Sequence, residues 1–287
     1  MAANPGTLTA PAELAEPAVR LSGLTRSFAG RTVLDGVDLD IPAGQFTALL
    51  GHSGSGKSTL LRAVAGLDHG VAGSGELAAP ERVSMVFQDS RLLPWRRVLD
   101  NVVLGLKGRE ARERGRAALA EVGLAGRENA WPGELSGGEA QRAALARSLV
   151  WEPELLLADE PFGALDALTR LRMHGLLREL WERHRPSVLL VTHDVDEAVV
   201  LADRVLVLER GRIGLSLTID LPQPRSYRDP RLDTYRTRLL SALGVEETGG
   251  PEGAQPADAP DTEAPGTGAP GTDAPDTDAA DTDGDDQ

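Results

Sequence analysis

The sequence predicts an α/β fold organised on a phosphate-binding loop, and three observations carry that prediction. Gly51-His52-Ser53-Gly54-Ser55-Gly56-Lys57-Ser58-Thr59 matches G-x-x-x-x-G-K-[ST] between a strand-like apolar run at 46–50 and a helix-like run at 59–65, the context a P-loop requires. Downstream, strand-like and helical runs alternate, which implies parallel pairing. Upstream, Val19 and Leu21, then Val37, Leu39 and Ile41, alternate with polar residues as in half-buried strands, so the chain opens with an antiparallel β segment.

Taken in order, residues 1–17 are rich in Ala and Pro and read as a disordered leader. The two β runs are separated by a turn-like segment around Gly30, where Phe28 also sits. For Phe28, core packing competes with a second reading, an adenine-stacking platform, which its place ahead of a P-loop strand favours. Within the loop, Gly54 and Ser55 supply backbone. The following helix points its N-terminus at the phosphates, Lys57 is within reach of the β- and γ-phosphates, and the Ser58 hydroxyl suits Mg²⁺. Leu60, Leu61 and Val64 share one face of that helix, and Gly66 can cap it.

Residues 83–87 form another short strand that ends at Gln88, a residue that could equally be an ordinary surface glutamine. From Leu92 to Leu149 the pattern turns helical, with Val98, Val102 and Leu106 on one stripe and Ala117 to Val122 ending at Gly123, and a helical insertion is expected there. Leu135-Ser136-Gly137-Gly138-Glu139 opens a helix with two readings: a second anion-binding end, since glycines let backbone approach a phosphate, or a plain capping box from Ser136 and Glu139. The buried-strand run 155–158 ends in Asp159-Glu160. Two carboxylates there suit a Mg²⁺ ligand followed by a base that polarises water, against the alternative of a strand leaving the core into a charged turn. A helix from Leu168 to Trp181, with Leu171, Leu177 and Leu180 inward, leads to strand 187–191 and His193. That histidine is either structural or one of the strand-end groups that gather where α/β ligands bind. Residues 205–208 supply a last strand. Residues 245–287, built of Ala-Pro, Gly-Thr and Asp-Thr units, read as an acidic disordered tail.

Composition narrows the function further. The 287 residues include no cysteine, so disulfides and cysteine-ligated zinc are excluded, and the five histidines lack metal spacing. No signal peptide or membrane span is expected, because the N-terminus lacks a basic segment followed by an apolar one and no run approaches 18 apolar residues. Of the 44 acids behind the net charge of −14, 13 fall in residues 245–287 with no base among them, leaving 30 bases and 31 acids elsewhere. That near-neutral remainder argues against nucleic acid binding through a broad basic surface.

The P-loop, Gln88, LSGGE, LLLADE and His193, in this order and spacing, resemble the nucleotide-binding subunit of ABC transporters over about residues 18–244. The resemblance implies a P-loop NTPase of the ABC ATPase type: an N-terminal antiparallel β subdomain, a RecA-like parallel-sheet core and an inserted α-helical subdomain at about 89–150. It implies ATP and Mg²⁺ as cofactors. Phe28 then looks like the adenine-stacking aromatic and Gln88 the residue near Mg²⁺ and the attacking water. Asp159 looks like the Mg²⁺ ligand beside Ser58, Glu160 the catalytic base, His193 the γ-phosphate histidine, and Ala164-Leu165-Asp166 the D-loop. In that family two subunits pair head to tail, which implies a homodimer whose Ser136 and Gly138 contact ATP on the other subunit's P-loop. Glu139 departs from the pattern, which usually has Gln there.

A narrower resemblance, to the nitrate, sulfonate and taurine import branch and above all to aliphatic sulfonate importers, rests on IPAGQF (41–46), FQDSRLLPW (87–95), VLDNVVLGLKG (98–108), LDALTR (165–170) and GRIGLSLTIDLPQPR (211–225). It implies an energy-coupling ATPase on the cytoplasmic face of the cell membrane. Its partners would be two transmembrane permease subunits and, indirectly, an extracytoplasmic solute-binding protein, with no nucleic acid. Taurine and nitrate importers share much of the pattern. The competitor from another class, a soluble ABC ATPase acting on DNA or ribosomes, generally has two cassettes or a long coiled-coil insertion; this chain has one P-loop and no sustained heptads. A regulatory ATP-binding module without hydrolysis is a third reading, and the intact Asp159-Glu160 pair argues against it.

Overall fold

A computed structural model describes residues 17–245. The tail expected at 245–287 lies outside the described residues apart from Val245, as does the leader expected at 1–17 apart from Pro17, which already belongs to the first strand.

β1 (Pro17–Phe28) and β2 (Arg31–Pro42) form the antiparallel hairpin that the alternation predicts, with Phe28 paired to Arg31 across the turn. A strand not anticipated, β4 (Ala72–Ala78), pairs with β1 and completes a three-stranded sheet ordered β2-β1-β4. Its sequence, AGSGELA, carries almost no apolar signal because six of its seven residues are exposed.

The second sheet has six strands in the order β5-β6-β7-β3-β8-β9. β3 (Phe46–Leu50), β5 (Val83–Phe87), β6 (Leu155–Asp159), β7 (Ser187–Val191) and β8 (Arg204–Glu209) are parallel, and β9 (Arg212–Thr218) adds antiparallel to β8 at the edge. β8 is therefore not the last strand. β9 gives little signal in the sequence because it has one covered face only, and its buried and exposed residues make a weak alternation.

The inner strands read as continuous apolar runs because both faces are covered. Phe46, Ala48, Leu50, Leu156, Ala158, Val188, Leu190, Val205 and Val207 share one core with the helical layer, where Phe46 meets Trp181 edge to face at 6.1 Å. The alternate residues Leu49, Leu155, Leu157, Leu189, Val191, Leu206 and Leu208 share the other core with α1 (Lys57–Val64) and the apolar face of the three-stranded sheet. The period-2 division of each strand between two cores makes a one-residue register slip costly on both sides.

The helical region is not continuous: α2 (Val98–Val102), α3 (Ala111–Glu121) and α4 (Gly137–Leu149) are joined by long loops, and Leu106 lies beyond α2. Buried Asn101 accounts for part of this. Its amide accepts from Leu93 N (2.6 Å) and donates to the carbonyls of Leu93 (3.1 Å), Arg96 (3.0 Å) and Arg97 (3.2 Å), holding the 93–97 loop without a helix. α4 grips β5 and the loop after it: Ser148 Oγ donates to Met85 O (3.2 Å), Gln141 Nε2 to Phe87 O (2.8 Å), and Arg147 to Ser90 O (2.7 Å) and Arg91 O (2.8 Å). α5 (Ala167–His184) buries Leu177 and Leu180 as expected, but Leu171 faces outward, 48% exposed; Met173, His174 and Trp181 complete the buried stripe. α6 (Val195–Leu201) and α7 (Asp233–Ala242) were not anticipated, and only Leu239 of α7 is buried.

The C-terminal segment is fastened by Arg225, which is 8% exposed. Its guanidinium donates to the carbonyls of Val199 (2.9 Å), Ala202 (2.5 Å), Ile219 (3.0 Å) and Leu221 (2.9 Å), the first two at the end of α6. Cations are favoured at a helix C-terminus, and burial lowers the Arg225 pKa against the pull of Asp203. Arg225→Ala is expected to destabilise the protein by about 2–4 kcal/mol in urea unfolding, because several buried carbonyls lose their donor at once. A loss under about 0.5 kcal/mol would mean that water replaces the guanidinium without cost.

Candidate nucleotide site

All five parallel strands present their carboxyl ends at one edge, and the register aligns them: Leu49 pairs with Val191, Val191 with Asp159, and Asp159 with Phe87. The P-loop, His193, the two carboxylates and Gln88 each follow one of these ends, where ligands of α/β sheets bind.

The P-loop leaves β3 under tight packing. A Cβ on Gly51 would lie 2.4 Å from the Leu208 carbonyl oxygen, so no side chain fits there. Gly56, the N-cap of α1, has φ +108°, and a Cβ there would lie 3.0 Å from Val33 O, so backbone conformation and space both favour glycine. The first helical N–H to find an acceptor on this turn is Leu60 N, bonded to Gly56 O (2.9 Å), so the donors of the first turn remain for an anion. Lys57 is 7% exposed, and its ammonium donates to the carbonyls of Gly51 (2.6 Å) and His52 (3.0 Å). Burial lowers its pKa, while the charges of Glu160 and Asp159 oppose the shift. A cavity of about 410 Å³ opens over this loop. Ser53, Gly54 and residues 56–59 line it from the loop, with Val33, Glu160 and His193 opposite.

Asp159 ends β6, and Ser58 Oγ donates to its Oδ1 at 3.3 Å. Burial raises the Asp159 pKa; the Ser58 hydrogen bond works against this, and the Glu160 charge adds to it. A carboxylate pressed by desolvation and a like charge is a site where a cation lowers the energy. Among the described residues there is no group of three or more His, Cys, Asp or Glu able to hold a metal. Ser58 lines the cavity and Asp159, bonded to it, does not; one carboxylate and one hydroxyl beside a phosphate cavity suit Mg²⁺, which takes most of its ligands from phosphates and water.

Glu160 adopts φ +46°, the left-handed region, in which a residue with a Cβ is strained by roughly 1–3 kcal/mol. Its N–H donates to Val191 O (2.9 Å), and its carbonyl accepts from Gly163 N (3.1 Å), so β7 and the following turn hold it there. His193 Nδ1 lies 3.2 Å from Glu160 Oε2, and both side chains reach the cavity.

The other expected residues sit further off. Gln88 faces the turn after Glu160: its Nε2 would be 3.2 Å from a Cβ on Gly163, and it does not line the cavity. Phe28 is 45% exposed, which removes the core reading, and it too lies outside the cavity lining. A second cavity, about 630 Å³, flanks the P-loop on its His52–Ser55 side and reaches Arg31 and Arg210. His52 Nε2 contacts Leu243 O (2.8 Å), joining the loop to the chain after α7. Ser136 is the N-cap of α4: its Oγ accepts from Glu139 N (3.3 Å), and Glu139 accepts from Ser136 N (2.9 Å), the capping box. Arg127 pairs with Glu139 at 3.0 Å, and the Glu139 pKa is lowered first by the Ser136 N–H. Neither Ser136 nor Gly138 lines the P-loop cavity of its own chain. Val33, Arg31 and Arg210 carry no motif in the sequence; the approach of β2 to the P-loop brings in the first two, and the turn between β8 and β9 brings in Arg210.

Residues 34–163 match the ABC transporter family model. Aliphatic sulfonates import ATP-binding protein SsuB 2 of Streptomyces avermitilis is 85% identical over 240 residues, covering 84% of this chain and 96% of that protein. The protein of the same name from Rhizobium johnstonii is 67% identical, with 87% and 98% covered. Among solved structures, a dimeric post-hydrolysis state of the ATP-binding cassette MJ0796, bound to ADP and Pi, aligns with a TM-score of 0.62 at 30% identity, covering 71% of this chain and all of that one. The cbiO1 protein of Clostridium perfringens, part of the ABC transporter complex cbiONQ, aligns at 0.67 and 25% identity, covering 81% and 96%. With a relative this similar matched nearly end to end, the chain belongs to the ABC transporter family, among the aliphatic sulfonates import ATP-binding proteins.

Proposed function

We propose that this chain is the ATP-hydrolysing, energy-coupling subunit of an importer of aliphatic sulfonates. One observation carries the hydrolytic part: Glu160 and His193 face the same cavity as Lys57, Ser58 and the open N–H groups of α1. The transported class comes from the names of the relatives.

Phosphoryl transfer is catalysed mostly by positioning and charge stabilisation. ATP phosphates lie on the P-loop N–H groups, where Lys57 turns from the Gly51 and His52 carbonyls toward the β- and γ-oxygens. Asp159 and Ser58 would hold Mg²⁺, which would supply charge stabilisation to the transferred phosphoryl group. Glu160 accepts a proton from the attacking water, His193 keeps that carboxylate oriented and donates toward the γ-phosphate, and Gln88 stands at the far side of the turn after Glu160. Phe28, exposed at the end of β1, offers its ring to adenine. Since Ser136 and Gly138 lie away from their own chain's cavity, they complete the site on a second copy. The homodimer works on two permease subunits at the cytoplasmic face of the membrane, fed by an extracytoplasmic solute-binding protein. Among the described residues no helix is long and apolar enough to cross a membrane; the association proposed here is peripheral, through the permease subunits.

Glu160→Gln is expected to bind ATP as the wild type does and to lose turnover by roughly 10²-fold or more, measured by nucleotide binding and phosphate release. Near-normal turnover would take Glu160 out of the base role. Asp159→Asn tests the electrostatics separately. Because the folded state raises the pKa of Asp159, its ionised form costs stability once the pH exceeds that pKa. The neutral amide escapes this cost, so the nucleotide-free variant at pH 7 should melt higher, by about 2–4 °C for each kcal/mol relieved, while Mg²⁺-dependent hydrolysis falls. An unchanged or lower Tm refutes the desolvation account. For the transported class, a deletion strain should fail to grow on an alkanesulfonate as sole sulfur source and recover on complementation; failure confined to taurine or nitrate would reassign the substrate.

A further inference from the structure

A buried polar cluster lies beside the site and takes no part in the chemistry above. His174 on α5, Thr192 just after β7 and Glu197 on α6 are 3%, 2% and 4% exposed. The Thr192 hydroxyl donates to Glu197 Oε2, and Glu197 Oε1 lies 3.1 Å from His174 Nε2, a close contact without hydrogen-bond alignment that leaves both buried atoms with no other partner. The other imidazole nitrogen, Nδ1, meets the Tyr227 hydroxyl, whose pKa burial raises. Thr192 Oγ1 also accepts from Asp194 N (3.0 Å), which closes the turn holding His193, and Asp194 Oδ1 caps α6 by accepting from Glu197 N (3.1 Å). On its other side the imidazole meets the Phe162 ring edge to face, 4.8 Å between centroids. Phe162 follows Glu160 by two residues.

One imidazole therefore touches both loops that supply the carboxylate and the histidine of the cavity. Through Glu197 and Thr192 it reaches the His193 turn, and through Phe162 the strained turn at Glu160; the two loops meet where His193 Nδ1 lies 3.2 Å from Glu160 Oε2. Stability alone is a poor reason for this arrangement. A buried charged or polar group replaced by an apolar one of similar volume often leaves a protein equally or more stable. What the polar cluster adds over an apolar plug is direction, because its hydrogen bonds at Tyr227, Thr192 and Asp194, with the close polar contact between His174 and Glu197, restrict the rotamer of each neighbour.

We propose that His174 is a positioning residue for hydrolysis: with Glu197 and Tyr227 it fixes the Thr192–Asp194 turn and Phe162 so that His193 faces Glu160. The proposal rests on the roles given above to Glu160 and His193. In the purified full-length chain, His174→Met should bind ATP with unchanged affinity and KM while kcat falls about 10-fold, with a Tm no more than a few degrees from wild type. His174→Gln, which keeps a polar N–H beside Glu197, should recover part of the loss, and Tyr227→Phe should lower kcat about 2–5-fold. Thr192→Val, which removes one hydroxyl without changing shape, should act like His174→Met and serves in its place if that variant does not fold. In a Glu160→Gln background none of these changes should lower turnover further.

Wild-type kcat in both His174→Met and Thr192→Val overturns the proposal, as does a loss that tracks Tm or appears in KM instead. If Glu160→Gln itself keeps turnover, the reading of the site has failed. If Glu160→Gln is inactive while His174→Met and Thr192→Val keep wild-type kcat, only the positioning role has.

Discussion

The alignment of parallel strand ends is the constraint on which the rest depends. Asp159, Val191 and Leu49 lie at one level of the sheet because β6, β7 and β3 are hydrogen-bonded in a fixed register. That register is held by cores on both faces, and a slip of one residue would expose Leu49, Leu189 and Leu157 to the wrong layer. Asp159 ends β6, and Gln88, Glu160 and His193 follow their strands by one or two residues, while Lys57 and Ser58 are placed by the tightly packed turn of the P-loop after β3.

The same edge concentrates the energetic cost. Lys57 and Asp159 are held against desolvation, and Glu160 occupies a backbone region that side chains disfavour. Each is supported by something ordinary nearby: two carbonyls for Lys57, the Ser58 hydroxyl for Asp159, the Val191 carbonyl for the Glu160 N–H. Such local strain persists only where surrounding packing over-determines it, which the two flanking cores do. An arriving anion with its cation would relieve the first two costs together.

Much of this was legible in the sequence, and for definable reasons. The inner strands announced themselves because burial on both faces makes them apolar throughout, and the P-loop because its glycines are forced by contacts as close as that of Gly51 with Leu208. Edge elements were not legible: β4 is exposed on nearly every residue, β9 on one face, and α7 buries a single leucine. Leu171 misled because helical spacing marks a stripe without saying which of its members the partner layer reaches. Within the site, strand-end residues could be read one at a time, whereas the imidazole of His174 could not. Its neighbours come from α5, α6, two loops and the C-terminal segment, and no local pattern in the chain records such a meeting.

The grip of α4 on β5 has a mechanical consequence. Thirteen residues make a rod about 20 Å long. It is clamped near its far end through Ser148 and Arg147 to Met85, Ser90 and Arg91, the backbone that carries Gln88. Gln141, bonded to Phe87 O, ties the same helix nearer its start, so Ser136 stands only about 7.5 Å, five residues at a rise of 1.5 Å, beyond the nearest tie. Held at three points along its length, the helix is joined as a stiff arm to the backbone beside Gln88, and its N-terminal serine is placed by that backbone.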